Sequence, residues 1–132
     1  MKQLCGVALL AGVLLAGVSC GGDSPTQSGP GTLKVRLTAP AANADSAIVF
    51  TITGPATLTS AVPGNGLRLF PQPLGTTTRF ALTGALANGT TILTIGVADV
   101  SAVSQYSGTV DGVAQANYQL RSLSGYALAI TR

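Results

Sequence analysis

Ala47-Ile48-Val49-Phe50-Thr51-Ile52-Thr53-Gly54 decides the fold. Ile48, Phe50 and Ile52 recur at every second position, and β-branched or aromatic residues fill most of the stretch. That period sets the three on one side of an extended chain, as in a half-buried strand. Gly54-Pro55 stops it, because proline has no N–H to give to a ladder. The same pattern continues outward in both directions. Leu33, Val35 and Leu37 alternate with Lys34 and Arg36, which reads as a strand with a wet face rather than a phosphate patch. Thr57 to Val62 is a short strand closed by Pro63-Gly64-Asn65-Gly66. Leu67 and Leu69 alternate with Arg68 and Phe70, and Pro71 and Pro73 mark a loop or an edge. Phe80 and Leu82 alternate with Arg79 and Ala81. After the turn signal Asn88-Gly89, Thr91, Leu93, Ile95 and Val97 share a face up to Asp99. Tyr126, Leu128 and Ile130 form the closing strand.

Short strands separated by turn signals at roughly ten-residue spacing predict an all-β fold, an antiparallel β-sandwich of jelly-roll or immunoglobulin-like type. A helical signal segment and a flexible linker are expected before it. Residues 111–121 fit two readings. Val113, Ala116, Asn117 and Leu120 have helical spacing, whereas Val110, Tyr118 and Leu120 suit an extended chain; a strand followed by a loop is expected.

Residues 1–19 read as a secretory signal peptide. Lys2 gives the positive start, Leu4 to Val18 the apolar core, and Ser19 and Cys20 the small-residue exit. The uncharged run falls just short of the ~20 residues of a membrane span, so an uncleaved signal anchor is the competing reading. The two cysteines, Cys5 and Cys20, both lie here. On one helix they stand about 22 Å apart, and a disulfide needs Cα atoms within about 7 Å. Residues 20–31, rich in Gly, Ser and Pro, form a flexible linker too polar to order itself. Residues 32–132 form one domain of ordinary size.

Leu14-Leu15-Ala16-Gly17-Val18-Ser19-Cys20, followed by a Gly/Ser/Pro stretch, resembles the lipobox signal of bacterial lipoproteins. The resemblance implies that Cys20 is lipidated and becomes the first residue of the mature chain. The alternative is a plain secreted protein. The resemblance further implies export and anchoring to the cell envelope. Gly21, in place of the aspartate associated with inner-membrane retention, points to the outer membrane. A second resemblance rests on Ala47 to Gly54 and on Gly84-Ala85-Leu86-Ala87-Asn88-Gly89 leading into Thr91 to Val97. These are similar to the early core strand and late hairpin of cohesin-like and carbohydrate-binding-module-like sandwiches. That likeness implies extracellular adhesion and carries over no binding residue.

Absent residue types exclude several chemistries. The sequence contains no histidine, glutamate or tryptophan. Ser-His-Asp and Cys-His catalysis and histidine zinc sites cannot be built. Glycoside hydrolysis by paired carboxylates would need two of Asp45, Asp99 and Asp111 to face each other, and their spacing does not suggest it. Calcium through the same aspartates lacks an Asp-x-Asp cluster; Asp99 and Asp111 read as turn residues. No metal or cofactor is expected. Without Lys2 the balance is six basic to four acidic residues, net +2, too little to argue for nucleic acid. Tyr106 and Tyr118 are candidates for partial exposure, for which a core or sandwich-corner role is the favoured reading and ligand binding the alternative. Tyr126 alternates with core positions. The expected function is a non-catalytic binding or structural role at the envelope, toward an envelope protein. A carbohydrate-binding or cohesin-like adhesion module is the alternative, and a hydrolase comes last.

Overall fold

The computed structural model describes residues 28–40 and 44–132. The signal peptide, Cys20 and most of the linker therefore lie outside the described residues. The alternating segments become eight strands: β1 (Gly31–Thr38), β2 (Asp45–Thr53), β3 (Ser60–Pro63), β4 (Arg68–Leu69), β5 (Thr77–Leu86), β6 (Thr91–Val97), β7 (Ser107–Gln115) and β8 (Ala127–Thr131). One four-stranded sheet has the order β3-β6-β1-β8 and the other β4-β5-β2-β7, all antiparallel. The two sheets pack face to face as an all-β sandwich. The pairs β1·β8, β2·β7, β3·β6 and β4·β5 are those of one long ribbon folded over on itself, the jelly-roll idea. Within each sheet the ribbons are joined by β1 against β6 and by β2 against β5.

The core is made where the two inner faces meet. Leu33, Val35, Leu37, Ile48, Phe50, Ile52, Phe80, Leu82, Leu93, Ile95 and Val97 are all buried, as their period-two spacing requires. Phe50 and Phe80 are direct cross-strand partners, with ring centroids 5.5 Å apart. The outward residues of β1, Lys34 and Arg36, are exposed.

The structure corrects several expectations. Thr91 does not share the face of Leu93, because β6 shifts register there. Val35 pairs with Leu93 and Arg36 with Thr91, so the extra residue, Ile92, is buried and Thr91 stands opposite exposed Arg36. Ala87–Thr90 does not close a hairpin: β5 and β6 belong to different sheets. The segment instead crosses between layers and bonds to β1, Gly89 N–H to the Leu37 carbonyl (2.7 Å) and Leu37 N–H to the Thr90 carbonyl (2.9 Å). Asp111 is not in a turn. It is the extra residue of a bulge in β7, where Phe50 pairs with Val110 and Val49 with Gly112. The linker also ends earlier than expected. Gly29 donates to Asp99 Oδ1 (3.0 Å), accepts from Val100 N–H (2.9 Å), and Gly31 already belongs to β1.

Candidate ligand-binding hairpin

Strand directions fix which end of the sandwich carries which loops. β1 starts at Gly31, where the chain arrives from residue 20, and ends at Thr38. The β1–β2 connection then leads to Asp45, and Asp45 pairs with Gln115 at the end of β7. The segment from 116 to 126 therefore lies at the end opposite Gly31.

That segment begins as a tight hairpin. Tyr118 N–H donates to the Gln115 carbonyl (2.9 Å) and Gln115 N–H to the Gln119 carbonyl (2.9 Å). Arg121 N–H donates to the Val113 carbonyl (2.8 Å), and Ala114 and Leu120 face each other across the bridge. This is the three-residue loop in which a turn is followed by a left-handed residue, a position that favours glycine. Here the residue is Tyr118, with φ 67°, the only non-glycine residue of positive φ among the described residues. A left-handed L-residue costs roughly 1–2 kcal/mol. The tyrosine is 90 % exposed, so no core packing offsets that cost. Asn117 Oδ1 accepts the Gln119 N–H (3.1 Å).

Leu120 is 80 % exposed. It stands beside a depression of about 90 Å³ on the outer face of the β2–β7 pair, lined by Ala47, Ile48, Val49, Gly112, Val113 and Ala114. The far side of the segment is tied down by one carboxylate. Asp45, 3 % exposed, accepts from Arg121 Nε (2.7 Å) and from Tyr126 Oη (2.5 Å). A register irregularity between Asp45 and Ala47 turns Asp45 inward. The two partners come from either side of Ser122–Gly125, so the carboxylate fixes the whole segment to the first residue of β2.

Of the two candidate tyrosines, only Tyr118 reaches the surface. Tyr106 is 6 % exposed and belongs to the core, as the favoured reading had it, so only its candidacy as a partly exposed ligand-binding residue is corrected. Its ring lies on Gly54, where a β-carbon would overlap it. Its hydroxyl has no hydrogen-bond partner, and burial, followed by the nearby Asp99 charge, raises its pKa. It follows the 3₁₀ turn Val100–Gln105 on the Gly31 side, so the structure does not bring it near Tyr118.

The aspartates are likewise separate. Asp99 caps that turn, accepting from Ser101 Oγ (2.7 Å), Ser101 N–H (2.9 Å) and Gly29 N–H; its hydrogen bonds to Ser101 and then Gly29 lower its pKa. Asp111 accepts from Thr51 Oγ1 (2.6 Å) and lies 3.7 Å from Arg79 Nε. No three metal-ligating residues cluster among the described residues. A larger depression, about 240 Å³, lies between Ser28, Pro30, Thr32, Val100 and Arg132. No exposed large apolar side chain is among its lining residues.

Leu120, Gly112 and the Asp45 clamp escaped the sequence reading. The expected strand followed by a loop holds for β7 up to Gln115, but the return pairing at Leu120 was missed, and nothing in a lone sequence marks a turn whose glycine position holds tyrosine. Comparison with protein-family models, with curated proteins and with solved structures finds no match to this chain.

Proposed function

We propose that this chain is a non-catalytic binding protein of the bacterial cell envelope, held by lipidated Cys20, that meets its partner through the Gln115–Arg121 hairpin. The observation that carries this reading is Tyr118: a fully presented ring in a backbone conformation suited to glycine. Backbone strain retained without a packing reason points to a functional one. The position agrees with it, since the hairpin lies at the end of the sandwich away from Gly31 and hence from the tether. The non-catalytic reading is supported by the aspartates, each bound into a different part of the framework. Lipidation is supported by Val18-Ser19-Cys20 and the Gly/Ser/Pro stretch after it. A diacylated cysteine meets the requirement of more than one chain for stable anchoring.

One observation favours a second reading, a carbohydrate-binding module. Asn117 and Gln119 flank exposed Tyr118 in the turn, and amide-bearing residues next to an aromatic ring suit sugars. Two measurements test the main reading. Intact mass of membrane-extracted protein shows loss of residues 1–19 and a gain of acyl mass; a soluble unmodified chain contradicts it. In living cells a photo-reactive phenylalanine analogue at position 118 cross-links an envelope component, while the same probe at position 34, on the other sheet, does not. Equal cross-linking at both positions contradicts the hairpin's role.

A further inference from the structure

Leu120 combines an exposed side chain with an open backbone edge. The bonds Gln115 N–H to Gln119 carbonyl and Arg121 N–H to Val113 carbonyl make Ala114 and Leu120 a non-hydrogen-bonded antiparallel pair. In such a pair each residue's own N–H and carbonyl point away from the other strand. Leu120 therefore presents both groups outward, the feature that lets an extended peptide add to an edge. The depression beside it has apolar walls built from Ala47, Val49, Gly112 and Ala114. No charged residue lines it, and Arg121 and Arg79 lie elsewhere in ion pairs with Asp45 and Asp111. Neither a cationic nor an anionic partner finds a free counter-charge at the depression. An alkyl-walled hollow offers a sugar hydroxyl no hydrogen bond, whereas it suits an aliphatic side chain.

We propose, resting on the binding-protein reading above, that the hairpin receives an extended, uncharged segment of a partner protein. The segment lies along Leu120, exchanges backbone hydrogen bonds with it, and places one aliphatic side chain in the depression over Gly112. Tyr118 covers that contact from the turn.

Gly112 supplies the test, because a β-carbon there meets nothing within 4 Å. Gly112→Val fills the depression from the outer face and leaves the core untouched. The full-length protein in detergent is titrated with ten-residue Ser/Thr peptides carrying one central Ile, Leu, Thr, Asp or Lys, and with a neutral oligosaccharide series. The Ile and Leu peptides bind at least tenfold more tightly than the Asp and Lys peptides. Gly112→Val and Leu120→Asp each reduce that binding at least tenfold at unchanged melting temperature. No preference for Ile or Leu, or binding indifferent to Gly112→Val, overturns the proposal. Oligosaccharide binding lost in Tyr118→Gly and kept in Gly112→Val overturns it while preserving the hairpin as the binding face. Absence of peptide and sugar binding, together with equal cross-linking at positions 118 and 34, removes both readings.

Discussion

Phe50 and Tyr106 show what single residues do inside this molecule. Phe50 is fully buried against Phe80 at the centre of the sandwich. Phe50→Ala should cost about 3–5 kcal/mol, which urea denaturation measures directly. Tyr106 carries a buried hydroxyl without a partner and a pKa raised above 10.0. The folded state therefore holds its proton more tightly than the unfolded chain. The stability this contributes is complete below about pH 10, the ordinary tyrosine value, and is lost as pH rises from there through the folded pKa. Denaturation midpoints between pH 9 and pH 12 should fall in the wild type and fall less in Tyr106→Phe. A core or sandwich-corner place for Tyr106 was legible in the sequence, but its unpartnered hydroxyl was not. The residues before it, Val100 to Gln105, carry no strand period and fold as a 3₁₀ turn, and only tertiary contact with Gly54 decides that the ring goes inward.

At the scale of elements, alternation located the strands, and tertiary contacts decided where it slips. Leu33, Val35, Leu37, Ile48, Phe50 and Ile52 could be assigned to the core because a strand buried on one face must repeat every two residues. Ile92, Asp111 and Asp45 sit where a bulge or a register shift breaks that repeat, and a bulge depends on a partner strand far away in sequence. The same is true of the hairpin Gln115–Arg121, whose geometry is set by pairing with Val113 and by the Asp45 clamp. That clamp yields a prediction. Arg121→Met leaves the Asp45 carboxylate buried with the Tyr126 hydroxyl as its remaining charge-stabilising partner from this pair. Because Arg121 is itself a quarter exposed, the cost should be about 2–3 kcal/mol, below that of a fully buried pair. Hydrogen exchange should quicken in the 116–126 segment before the β2–β5 ladder is affected.

For the molecule as a whole, connectivity matters more than any one strand. Only β4 and β5 are consecutive strands that neighbour each other in a sheet; every other connection passes from one layer to the other. β1 is closed by β8 from the far end of the chain. A sequence shows faces and turns and says little about which layer the next strand joins, so Asn88-Gly89 read as a hairpin when it is a crossing. Such non-local pairing should make folding slow, in the millisecond-to-second range, as stopped-flow refolding would record. The fold also sets the hairpin at the end away from Gly31, where a ring in a glycine position serves no packing need. The most direct measurement of that central claim is equilibrium denaturation of Tyr118→Gly beside the wild type. Relief of the left-handed conformation, set against the greater freedom of glycine in the unfolded chain, predicts a variant as stable as wild type or more stable by up to about 1 kcal/mol. A loss of more than about 1 kcal/mol would contradict the account, because it would mean that the Tyr118 ring holds the fold together and is not held out for a partner.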